Sequence, residues 1–100
     1  MTKGYWMARV DVSDLEKYKP YVAANALAFA KYGARFLVRG GTYENPEGTS
    51  RTRNVVLEFP SRAQAEAWYH SDAYQSIIHH RKNNSTGNLT LIDGYDSPTL

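Results

Sequence analysis

Residues 53–64, Arg53-Asn54-Val55-Val56-Leu57-Glu58-Phe59-Pro60-Ser61-Arg62-Ala63-Gln64, constrain this chain more than any other stretch. Val55, Leu57 and Phe59 alternate with Asn54, Val56 and Glu58, the period-two pattern of a strand with two unlike faces. Pro60 has no amide hydrogen to give to a ladder, so the strand stops there. Ser61, with Gln64 three residues on, opens a helix through a capping box. A strand that turns straight into a helix must pack under helices, so the chain is committed to a layered arrangement of sheet and helix. The carboxylate of Glu58 in an otherwise apolar strand is the oddity to be explained.

The flanking sequence repeats the theme. Residues 4–12 read as a strand, with Trp6, Ala8, Val10 and Val12 on one face and Tyr5, Met7, Arg9 and Asp11 on the other. Residues 13–32 read as helix. Ser13 with Glu16 forms a second capping box, and Tyr18, Val22, Asn25, Phe29 and Tyr32 recur at helical spacing. Pro20 is expected to break this segment, the main helix then starting at the proline. Gly33 suits a left-handed helix stop.

Residues 34–39 predict a second strand, with Phe36 and Val38 opposite Arg35, Leu37 and Arg39, ended or bulged by Gly40-Gly41. Residues 42–52 are a polar hairpin connection. Residues 61–70 form the second main helix, with Ala65, Trp68 and Tyr69 inward. Ser71 caps a short helix in which Tyr74, Ile77, Ile78 and Arg81 share a side. Residues 88–93 are the last strand, with Leu89, Leu91 and Asp93 opposite Thr90 and Ile92.

The order β-α-β-β-α-β predicts an α+β, ferredoxin-like domain over residues 1–100. Its four-stranded antiparallel sheet has the first and third strands central and two main helices on one face. The other sheet face is expected to carry Met7, Arg9, Leu37, Arg39, Val56, Glu58, Leu91 and Asp93, half of them apolar and half charged. Such a face suits burial against a second copy with the charges paired across it, which predicts a homodimer.

Composition narrows the function. There is no cysteine, which excludes disulfides, thiol catalysis and thiolate metal sites. Net charge is +2, and the one basic cluster, His79-His80-Arg81-Lys82, is too short for a nucleic-acid stripe. No apolar run approaches the roughly 20 residues of a membrane span, and no apolar signal-peptide core follows Met1, so a cytoplasmic protein is expected. Eight tyrosines, three phenylalanines and two tryptophans suggest a lined pocket or an interface with wet and dry ends.

Two groups of residues carry candidate chemistry. Glu58, with Arg39 on the neighbouring strand and Arg9 on the other side, reads either as a charged floor for an anionic ligand or as an ion-pair network inside a dimer. Asn25 is an amide on an apolar stripe, suited either to holding an oxyanion or polarising a carbonyl, or to capping the break near the glycine pair. Tyr69 is the candidate proton donor, and Trp68 is expected to reach the same cleft. Adjacent histidines point about 100° apart on a helix and cannot chelate together, so no metal site is expected at His79 and His80.

Lys3-Gly4-Tyr5-Trp6, Arg9-Val10-Asp11-Val12, Tyr21-Val22-Ala23-Ala24-Asn25, Gly33, Arg35-Phe36-Leu37-Val38-Arg39-Gly40-Gly41, Glu58-Phe59-Pro60-Ser61, Tyr74-Gln75 and Gly94-Tyr95 resemble the bacterial family known as domain of unknown function 1330. The resemblance spans nearly the whole chain and implies the dimeric α/β-barrel form of the ferredoxin-like fold. It implies no activity. The wider superfamily includes cofactor-independent monooxygenases, haem-degrading enzymes, muconolactone isomerases and stress-response barrels. Trp68 followed by His79 and His80 mildly resembles the haem-degrading branch, but the first strand lacks that branch's asparagine. Two functions are therefore expected in competition. One is a metal-free and cofactor-free enzyme or binder of a small aromatic or carboxylate ligand, and the other a non-catalytic, stress-response-type dimer whose interior is structural.

Overall fold

The computed structural model describes residues 2–26 and 31–96. Four strands, β1 (Gly4–Val12), β2 (Arg35–Arg39), β3 (Arg53–Phe59) and β4 (Ser85–Asp93), form one antiparallel sheet in the order β2-β3-β1-β4. The helices are α1 (Leu15–Asn25), α2 (Arg62–His70) and the short α3 (Asp72–Gln75) and α4 (Ile78–Lys82). They cover one face of the sheet, so β1 and β3 are central, as the pattern predicts.

The strand-to-helix junction forms as its residues dictate. Ser61 is extended, and its hydroxyl accepts the Gln64 amide at 3.2 Å. Ser71 repeats the device, accepting from Tyr74 N at 3.1 Å. The start of α1 differs from expectation: Asp14, not Ser13, is the cap, its carboxylate accepting from Lys17 N at 3.2 Å. Ser13 is instead held by its backbone, its amide donating to Asn84 O at 2.8 Å.

Pro20 does not break α1. The helix passes through it from Leu15 to Asn25. Tyr18 and Tyr21, both buried, clamp the turns on either side of the exposed proline to the core, and that packing outweighs one missing backbone bond. The expected helical register of Phe29 lies outside the described residues.

Two strands present their side chains otherwise than predicted. In β2 a bulge separates Phe36, paired with Leu57, from Val38, paired with Val56, and Arg39 then pairs with Val55. Directly opposed residues share a face, so the extra residue sends Val38 to the open face and Arg39 to the helix side. In β4, Leu89, Leu91 and Asp93 oppose Ala8, Trp6 and Gly4. They therefore lie under the helices, where Leu89 and Leu91 pack on the core and Asp93 meets Arg62 at 3.5 Å. Alternation in the sequence had the right period but the wrong face, because the pairing partner decides the face.

The core between sheet and helices is largely aromatic. Trp6 is fully buried, with Tyr74 edge-on at 5.1 Å, Tyr69 at 6.0 Å and Phe59 at 6.1 Å between ring centroids. Trp68 continues the cluster to Tyr74 at 5.4 Å and Tyr32 at 5.5 Å. The open face has an apolar centre in which Met7, Val38 and Ile92 are each about half exposed.

Candidate ligand-binding cleft

The helical spacing of Tyr18, Tyr21, Val22 and Asn25 turns these residues of α1 toward the sheet. There they meet Trp6 and Ala8 of β1, Phe36 of β2, and Arg53 and Val55 of β3 around a narrow cleft. Its internal space is about 20 Å³, enough for roughly one water. Asn25 is buried, and its Oδ1 accepts the indole N–H of Trp68 at 3.3 Å. The Tyr21 and Tyr74 hydroxyls lie 2.7 Å apart in a buried hydrogen bond. Arg81, also buried, sits 5.7 Å from the centre of the Tyr21 ring. Burial pushes the Tyr21, Tyr74 and Tyr18 phenols well up or up from their ordinary range. These hydroxyls are therefore protonated at neutral pH, and one of the Tyr21–Tyr74 pair donates to the other.

The residues singled out from sequence fall into three places. Asn25 lines the cleft, and Trp68 stands behind it as its hydrogen-bond partner. Tyr69 is half-buried on the far side of Trp6 and Tyr74 and lines a different groove, of about 290 Å³, with Glu66, His70, Leu89 and Leu91. Arg39 stacks on Phe36 at 4.3 Å, at the margin of the cleft rather than beside Glu58. Arg9 and Glu58 are on the open face. Arg9 Nε donates to Asn54 Oδ1 at 3.0 Å, while Glu58 accepts from the Tyr5 hydroxyl at 3.0 Å and from Arg35 Nε at 2.9 Å. Glu58 thus pairs with Arg35, its direct neighbour across the ladder. His79 and His80 do not diverge, their ring centroids lying 4.0 Å apart.

Sequence reasoning missed Trp6, Tyr18, Tyr21 and Arg53 as cleft residues. For Arg53 the signal was present, since it has the same parity as Val55, Leu57 and Phe59, the inward residues of its strand.

The open-face triad makes a pH prediction. The Tyr5 hydrogen bond, opposed by burial and aided by Arg35, holds the Glu58 carboxyl below its ordinary range. The ionised form is the one favoured by folding. Its contribution is therefore present above the unfolded carboxyl pKa of about 4.3 and fades as pH falls through the lower folded value. Glu58→Gln is expected to melt below wild type at neutral pH, with the gap closing on acidification below about pH 4. Melting curves from pH 7 downward check this, and a gap that stays constant into strong acid contradicts it.

The family described as domain of unknown function (DUF1330) matches residues 3–95. The chain belongs to this family. Comparison with curated protein sequences finds no match. Among solved structures, the DUF1330 chain is similar to a protein of unknown function from Rhodopseudomonas palustris, with a TM-score of 0.75 at 14% identity, covering 96% of this chain and 85% of that one. The methylated form of that protein gives a TM-score of 0.76 at 12% identity, covering 98% and 84%. SnoaB, a cofactor-independent oxygenase from Streptomyces nogalater, is similar with a TM-score of 0.67 at 12% identity over 97% of both chains. These likenesses show a shared α+β fold, a four-stranded antiparallel sheet with helices on one face. Among the described residues no helix is long and apolar enough to cross a membrane.

Proposed function

We propose that this protein is a homodimeric, cytoplasmic, cofactor-independent enzyme or binder. Its small planar ligand, aromatic or carboxylate-bearing, enters the cleft between α1 and the sheet of one domain spanning the chain. The observation that carries the reading is the convergence of Asn25, Tyr18, Tyr21 and Arg53 on a cleft set in an otherwise apolar core. Polar groups are costly there unless they are used. In this reading Asn25 polarises a ligand carbonyl, and Tyr21, which the Asn25 side chain faces, supplies a proton. Tyr69 is assigned the second groove. The overall likeness to SnoaB supports a cofactor-free site at the level of fold alone.

The dimer reading rests on the half-exposed apolar centre of the open face, formed by Met7, Val38 and Ile92 and flanked by Arg9 and by the Tyr5–Glu58–Arg35 triad. One observation favours the competing reading, a stress-response-type dimer with a structural interior: the cleft holds about one water as it stands.

A thermal-shift screen of small aromatic acids and quinols separates the two, run on protein whose mass in solution is measured by light scattering and followed by a structure of any hit. The expected result is twice the chain mass, with ligand density beside Asn25. A monomer mass overturns the dimer, and the absence of any stabilising compound, or density remote from Asn25, overturns the cleft.

A further inference from the structure

Two donors in the cleft wall have nothing to donate to. Trp6 is fully buried, and its indole Nε1 has no partner among the described residues. The buried Nε of Arg53 is likewise without an acceptor among the described residues, while the guanidinium also meets the Tyr18 hydroxyl. Folded proteins rarely leave such groups unmatched, since an orphaned buried donor pays its full desolvation cost. Both residues line the same cleft. Their placement follows from register: Arg53 lies across from Val10, on the face shared with Trp6 and Ala8.

The charge of the wall has one sign. Among the described residues no carboxylate lines the cleft, and its one charged lining residue is Arg53. A second guanidinium, that of Arg81, lies behind Tyr21, and its Nε is also unpartnered. The Tyr21 hydroxyl shares a hydrogen bond with Tyr74. Such a wall asks its ligand for acceptor oxygen and negative charge.

We infer that the cleft binds the carboxylate of a small planar acid through Trp6 Nε1–H and the Arg53 guanidinium. A guanidinium matches a carboxylate as a planar fork, and the indole N–H supplies a single further donor. The carboxylate occupies the space of about one water, and the planar body of the ligand lies outside it.

Gly40, directly after β2, takes part. A Cβ there would lie 2.7 Å from Arg53 Nη1, so the missing side chain leaves the guanidinium its place. This inference rests on the cleft being a ligand site and adds the ligand's charge and the residues that read it.

The test is titration of the full chain with three probes built on one ring: benzoate, its neutral methyl ester, and benzylamine, which is cationic. Benzoate is expected to bind at least about tenfold more tightly than the ester, with no binding of the amine. Arg53→Gln is expected to abolish that preference, weakening benzoate about tenfold or more and leaving the ester unchanged. Arg53→Lys, which keeps the charge but loses the fork, is expected to fall between. Melting curves confirm that both variants fold, and Trp6→Phe gives a second reading if neither does, weakening benzoate more than ester.

Equal binding of benzoate and ester, with Arg53→Gln affecting neither, overturns the anion inference while the cleft reading stands. Benzoate binding that survives Arg53→Gln unchanged also overturns it, because the acid is then held elsewhere, for example near Arg9 and Arg51. Failure of all three probes to bind counts against both the inference and the cleft.

Discussion

Gly4→Ala is expected to lower the melting temperature by roughly 12–24 °C. Gly4 is buried at the start of β1, between Phe59 and Asp93 on the two neighbouring strands. A Cβ at this position would lie 2.3 Å from Arg62 N and 2.4 Å from both Arg62 Cα and Ser61 C. All three are backbone atoms, so no flexible side-chain end can yield. Overpacking ordinarily costs about 1–3 kcal/mol, and a rigid obstacle puts Gly4 at or above the top of that range.

At about 4–8 °C per kcal/mol for a chain near this size, the melting shift follows. The structure also says how the strain is relieved. The N-terminus of α2 must lift from β1, and with it goes the Ser61–Gln64 cap at the strand-to-helix junction. Thermal melting by circular dichroism at fixed protein concentration measures the effect, and a shift within about 5 °C of wild type refutes it.

The second large effect concerns Trp68. Trp68→Ala is expected to cost about 3–5 kcal/mol, since the side chain is 2% exposed and packs on Tyr32 and Tyr74. Part of that loss belongs to Asn25, whose Oδ1 would lose the indole donor. Asn25→Leu alone is expected to cost about 1–3 kcal/mol, chiefly because it orphans the Trp68 N–H. The informative protein is Trp68→Phe combined with Asn25→Leu.

If the amide serves only the indole, removing both groups restores most of the stability lost by either change, a coupling of about 1 kcal/mol or more in a double-mutant cycle. The proposal expects that restored protein to be silent toward aromatic acids that stabilise wild type. A double variant that is both stable and still responsive removes Asn25 from the site. Denaturant titration with and without ligand reads both outcomes.

How much of this was legible in the sequence depends on what kind of information each feature needs. The strand-to-helix junction at 59–64 and the cap at Ser71 are local, written in neighbouring residues, and they form as read. Element order and the central position of β1 and β3 follow from handedness rules that hold across proteins. The resemblance to the DUF1330 family was also carried by contiguous blocks.

The faces of β2 and β4 were not legible. Alternation says that Leu89, Leu91 and Asp93 share a side, but only their pairing with β1 says which side. Pro20 was misjudged because propensity is local, while the buried tyrosines beside it act through the tertiary fold. The pairing proposed for Glu58 failed for the same reason: the partner is Arg35, and Arg39 had crossed the sheet.

The crossing of Arg39 is set by chain length rather than by residue type. Without the extra residue in β2, Arg39 would fall opposite Asn54 on the open face, and Val38 would fall opposite Val55 beneath the helices. With it, a positive charge sits beside Phe36 at the edge of the cleft, and a valine joins the open face. One residue of strand length thus moves a cation from one surface of the sheet to the other and exchanges it for a hydrocarbon. Two chains of nearly identical composition, differing by a single insertion in this edge strand, would offer opposite surfaces to a partner and different charges to a ligand.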